Sequence, residues 1–158
     1  MDDKRKLLRH FLATLAYRTQ KALRGAPESF HSFRASPGVR TPHELVHHID
    51  SLMGYARTFF IGGVYRQEVL PAFQDEVQRL HATIEDVALH LKLGTPFEGI
   101  TPERMLQGPF ADAMTHVGQI AILRRLADSP VPSENFIYAN VSIENLGPDQ
   151  ALPAVPDE

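Results

Sequence analysis

The chain has 158 residues, 43% hydrophobic and 22% charged, which suits one domain over residues 1–158 and speaks against disorder or a membrane class. Sixteen Lys and Arg against nineteen Asp and Glu give a formal charge of −3, the wrong sign for a protein that chiefly neutralises phosphates, so nucleic acid is not an expected partner. The absence of cysteine excludes disulfides, thiolate nucleophiles and Cys-bound zinc, and leaves any metal site to nitrogen and oxygen ligands.

Leu7, Leu8, Phe11, Leu12, Leu15, Ala16 and Leu23 recur at helical spacing and predict a first helix from Lys4 to about Leu23, stopped by Gly25-Ala26-Pro27. Its Lys4-Arg5-Lys6 cluster reads as a solvated helix end. The N-terminus carries no apolar signal core, and no run approaches the roughly 18 apolar residues of a membrane span, so a cytoplasmic protein is expected.

After a connection over residues 26–40, Thr41 is placed to cap a second helix, with Pro42 at its first position and Glu44 completing a capping box. That helix is expected to run to about Phe60, where Gly62-Gly63 breaks it. A third pattern spans about Gln67 to Leu93 through Val69, Phe73, Val77, Leu80, Ile84, Val87 and Leu91, with Pro71 in its first turns and Gly94 at its end. Thr101-Pro102-Glu103 opens a short helical piece, and Gly108-Pro109 restarts a longer helix to about Ala127. From about residue 129 the tail carries NFIYANVSI, read as an extended segment crossing the helices because it has no strand to pair with. The expected fold is all-α, a four-helix bundle with an extended C-terminal tail.

The second helix opens with HELVH, residues 43–47, which fits the H-E-x-x-H pattern of zinc proteases. The longer form of that motif fails, since Asp50 stands where glycine belongs and Met53 where histidine belongs. At about 100° per residue, Leu45, Ile49, Leu52, Ala56 and Phe59 define an apolar stripe, and His47 falls opposite it with His43 also turned away. His48 lies on the flank of the stripe and should point inward. Glu44 and His47 have half the spacing of a di-iron bundle site, but no second Glu-x-x-His on another expected helix completes one. His10, His31, His81 and His90 have no partner at ligand spacing and read as structural or solvated.

On the last helix, Asp112, Thr115, His116 and Gln119 form one polar stripe that continues through Leu123 and Leu126. An Asp and a His at i and i+4 place an oxygen and a nitrogen ligand one above the other, and with His48 they make two imidazoles and a carboxylate. Polar groups on an inward face are costly unless paired or metal-bound. The readings left open are a metal site and a polar core network without turnover. Thr115 and Gln119 would support the ligands or touch substrate. Gly118 is expected to allow close helix packing, and Arg124 and Arg125 to cap the negative end of their helix. Phe110, Met114, Val117 and Ala121, opposite the polar stripe, would then need a partner surface, which points to a homodimer.

GPFADAMTHVGQIAILRRLADSPV resembles the His-x-x-x-His-x-Gly-Gln segment of the last bundle helix in the DinB (YfiT-like) superfamily, and ELVHHI resembles that family's ligand segment on the second helix. The resemblance covers nearly the whole chain. It implies metal ligation by His48, Asp112 and His116, with Asp112 replacing the family's middle histidine, as a carboxylate does in mycothiol-dependent members. The implied cofactor is a divalent ion, Zn²⁺, Ni²⁺, Mn²⁺ or Fe²⁺. The implied function is a metal-dependent enzyme acting on a small molecule, by transfer of a low-molecular-weight thiol or by hydrolysis; the alternative is a non-catalytic metal- or ligand-binding bundle.

Overall fold

The structure is a computed structural model and describes residues 2–154. Four long helices carry the fold: α1 (Asp3–Leu23), α2 (Pro42–Ile61), α3 (Phe73–Leu93) and, after the one-turn α4 (Pro102–Met105), α5 (Ala111–Leu126). Short 3₁₀ turns lie at Glu28–Ser32 and Phe136–Tyr138, and there is no strand among the described residues. No helix is long and apolar enough to cross a membrane among those residues.

The helix ends follow from local chemistry. The Thr41 hydroxyl accepts from Glu44 N–H at 3.2 Å and the Glu44 carboxylate accepts from Thr41 N–H at 2.7 Å, closing the expected capping box, worth about 1 kcal/mol. Gly94 ends α3 in the left-handed region at φ 73°, its N–H meeting the last-turn carbonyls. The third helix starts later than its periodicity predicts. Residues 62–72 are not helical, Pro71 precedes the helix, and the Leu70 N–H is taken by the Glu76 side chain at 2.7 Å instead of by a helical carbonyl.

Packing is cyclic: α2 lies against α3 on one side and α5 on the other, and α1 likewise touches both α3 and α5. Leu12, Leu15, Leu45, Ile49, Met53, Leu80, Ile84, Leu91, Phe110 and Ile120 are fully buried between them. Each such side chain contributes about 1.5–3 kcal/mol relative to exposure. Phe110 stacks on Phe11, with centroids 5.9 Å apart, and Val117 is also buried. Met114 and Ala121 are half-covered against the same core. On the α5 face expected to need a second subunit, Phe110 and Val117 are therefore buried within one chain, whereas Met114 and Ala121 stay partly exposed.

The tail crosses α1 and α3. Glu134 is buried against Tyr17 and Lys21, the Leu146 carbonyl meets His81, and Arg24 donates to the Gln150 and Ala151 carbonyls. Within NFIYANVSI, Phe136–Tyr138 make a 3₁₀ turn where an extended run was expected, and Ile137 and Tyr138 face outward. Two basic residues also depart from expectation. Arg5 is not a solvated helix end: it is buried over the Phe97 ring and donates to the Thr95 carbonyl. Arg124 does not cap its own helix; its guanidinium donates to the Ala22 and Arg24 carbonyls at the end of α1 and to Ser129, tying three segments together.

Candidate metal centre

His48 on α2 and His116 and Asp112 on α5 meet between those two helices. One ligand-type atom from each lies within 4.8 Å of the others. The two imidazoles approach edge to face with centroids 4.4 Å apart. The approach follows from the packing of α2 against α5: Leu45 and Leu123 belong to the shared core, Leu52 packs partly against it, and His48 and His116 are carried on the same two helices.

The protonation pattern fits ligation. His116 Nδ1–H donates to the Asp112 carbonyl at 2.7 Å, so Nε2 is the nitrogen that a neutral ring would offer to a metal. Burial pushes the His48 pKa below the ordinary histidine value, the Arg40 charge and His116 push it further down, and Asp112 opposes them. A neutral imidazole is the ligating form. Asp112 is 49% exposed on its side chain, with a carboxylate oxygen 3.3 Å from His116 Nδ1, so the cluster is closed on the core side and open toward solvent. The donor set of two imidazoles and one carboxylate suits a divalent ion with free positions.

Of the remaining members of the α5 stripe, Leu123 is buried in the core and the others lie on the solvent side. Thr115 and Gln119 are exposed, Leu126 is exposed too, and the Thr115 hydroxyl is occupied by the Ala111 carbonyl at 3.0 Å. Among the described residues neither Thr115 nor Gln119 hydrogen-bonds a member of the cluster. They instead line a largely apolar groove of about 390 Å³ with Val39, Arg40, Ile122 and Leu126, while Thr115 and Asp112 border a second, open groove of about 560 Å³. Gly118 allows no close helix packing, because a Cβ built there would meet nothing within 4 Å. Arg40, which forms no ion pair among the described residues, was not singled out by the sequence. A lone basic residue in a connection gives no local signal of what it will face.

His43 and His47 do not join the cluster, but neither do they face water. Both turn to α3, where His47 Nδ1–H donates to Glu76 at 2.8 Å and His43 Nε2 stands 3.9 Å from the same carboxylate. The rotational reading centred the stripe of α2 on the side that meets α5, whereas α3 covers the opposite side. Glu76 is fully buried; burial alone would raise its pKa, but the Leu70 N–H, His47 and Arg79 outweigh it and hold the group below the ordinary carboxylate range. Arg79 also reaches Asp50 at 3.2 Å, and Asp50 accepts from Thr83 at 2.6 Å and from Tyr65. In this network the Arg79 guanidinium occupies the space beside Glu76 that a cation would need. The glutamate of HELVH is committed to Thr41 and Arg34, not poised as a base.

The other histidines have structural places or are exposed. His81 is buried with Nδ1–H donating to the Leu146 carbonyl at 2.6 Å and Nε2 accepting from Gln20. His31 stacks on Phe73 and His90 on Phe60, while His10 is exposed. Comparison with known proteins finds no match: no family profile, no curated protein and no solved structure corresponds to the chain.

Proposed function

We propose that the chain is a DinB-like four-helix bundle that binds one divalent metal ion through His48, Asp112 and His116 and uses it to act on a small molecule. The convergence of these three side chains from two helices carries the reading. Its further support is the resemblance of the α2 and α5 segments to that superfamily's ligand segments. A divalent ion held there would supply a Lewis-acid centre able to lower the pKa of an incoming thiol or water, which makes thiol transfer and hydrolysis the two reaction classes.

The protein's own groups have separable tasks in this proposal. His116 and His48 offer neutral nitrogen donors, and Asp112 contributes one negative charge, so the filled site keeps net positive charge and attracts an anionic thiolate. Arg40 at the groove edge adds to that attraction. The apolar walls formed by Val39, Ile122 and Leu126 would hold the body of an electrophilic substrate next to Thr115 and Gln119.

The test is metal content followed by turnover. Purified protein equilibrated with Zn²⁺, Ni²⁺, Mn²⁺ or Fe²⁺ and then dialysed should hold close to one equivalent per chain by elemental analysis. Loaded protein should accelerate conjugation of a low-molecular-weight thiol to a hydrophobic electrophile, or hydrolysis of an ester or amide. Metal without turnover would make the site a binding module, and absence of any metal would sink the proposal.

A further inference from the structure

A different face of α5 helps to build a second cavity, of about 360 Å³, walled by α1, by α5 and by the tail over residues 131–136. Its chemistry is unlike that of the protein as a whole. Arg18 and Lys21, one turn apart on α1, and Arg125 on α5 all line it, and Glu134 from the tail is the one carboxylate among its lining residues. Two positive charges are left in excess, within a chain of net charge −3.

None of the three cations is fully matched among the described residues. Lys21 is 8% exposed on its side chain, its nearest carboxylate oxygen is Glu134 Oε2 at 3.3 Å, and its ammonium makes no well-formed hydrogen bond. The other Glu134 oxygen accepts from the Tyr17 hydroxyl, whose pKa is pushed up to about 12 by burial and by Glu134. Arg18 lies over the Phe136 ring at 3.7 Å and, like Arg125, forms no ion pair among the described residues. A buried ammonium with unmet donors is costly, and several like charges around one low-dielectric cavity focus a positive potential. A structural clamp for the tail would need only Lys21 and Glu134.

We propose that this cavity binds a small organic phosphate monoester. The dianionic head matches the two excess charges, and its oxygens supply acceptors for the Lys21 ammonium and for the guanidinium groups of Arg18 and Arg125. Ala22, Met114, Val117, Ala121 and Phe136 form the apolar remainder, which suits an aromatic or aliphatic body. Because residues 131–136 form one wall, the bound ligand also holds the tail against α1. The site shares no ligating residue with the His48/Asp112/His116 cluster and does not depend on a metal there.

Calorimetric titration of the full chain with phenyl phosphate tests the assignment. Saturable binding of one molecule per chain is expected, weakened at least ten-fold by Lys21→Met, about one interaction of 1.4 kcal/mol, and several-fold by Arg125→Gln. His116→Ala should bind as wild type. Lys21 is buried and its replacement can disturb the tail, so the exposed Arg125→Gln variant, checked by circular dichroism for an unchanged fold, decides that case. Inorganic phosphate lacks the apolar body and benzoate lacks the second charge, and both should bind about ten-fold more weakly. The proposal is overturned by no saturable heat up to about 10 mM ligand, by wild-type affinity in Arg125→Gln, by benzoate binding as tightly, or by loss of binding in His116→Ala.

Discussion

Replacing His47 and His116 one at a time by alanine should separate stability from metal binding. His47 Nδ1–H is one of three donors to the buried Glu76 carboxylate, beside the Leu70 N–H and Arg79. His47→Ala removes one hydrogen bond to a charged acceptor, worth about 1.5–3 kcal/mol, and leaves the other two in place. For a domain of this size each kcal/mol moves the thermal midpoint by about 2–4 °C, so a fall of about 3–12 °C is expected. Metal content should be unchanged. His116→Ala should do the opposite, since among the described residues its ring hydrogen-bonds only the carbonyl of Asp112 on its own helix. Its loss removes one of three ligands, and Zn²⁺-dependent stabilisation should disappear, because a ligand raises stability only in proportion to its binding to the folded state. Differential scanning fluorimetry with and without metal, together with elemental analysis, reads both quantities. Full metal retention in His116→Ala, or metal loss without a change of midpoint in His47→Ala, would refute the assignment and return the HELVH motif to consideration.

Gly54→Ala should destabilise by about 1–3 kcal/mol, because a Cβ there would overlap the Tyr65 ring and break the Tyr65 hydroxyl contact with Asp50; an unchanged denaturant midpoint would contradict that packing. Arg124→Met should cost about 1–3 kcal/mol for the buried Ala22 carbonyl left unpaired, with a smaller addition for the part-buried Arg24 carbonyl, and should raise protease cleavage within the tail. Burial holds His81 below the ordinary histidine pKa. Its folded pKa is therefore the lower one: stability is full above the unfolded value near 6.5 and is lost as pH falls from there to the folded pKa, at up to about 1.4 kcal/mol per pH unit. Urea titrations between pH 7.5 and 5 should show that slope, reduced in His81→Gln; His31 and His48, also lowered by burial, keep some of it. An identical slope in the variant would count against the buried neutral His81.

The features legible in the sequence are those fixed by residues a few positions apart. Thr41-Pro42-His43-Glu44 specifies a helix start by itself, because cap and box act within one turn. Gly94 specifies a stop because its left-handed conformation disfavours other residues. The i, i+4 pair Asp112 and His116 and the flank position of His48 follow from helical rotation alone, and so did their candidacy as one cluster. What tertiary structure decided were the contacts between residues far apart in the chain. His47 meets Glu76 across 29 positions because α3, as well as α5, covers α2, and a single-helix stripe has no term for a second covering partner. The start of α3 moved to Phe73 because the Glu76 side chain captured the Leu70 N–H, so the loop before it is held by a tertiary bond that periodicity cannot register. Gly118 looked like a packing glycine, but only the path of the neighbouring elements left open space beside it. Glu134 reaches Tyr17 across 117 positions, and nothing local marks a tail glutamate as the buried counter-charge of α1, since its burial depends on a cavity that exists only once α1, α5 and the tail have packed together.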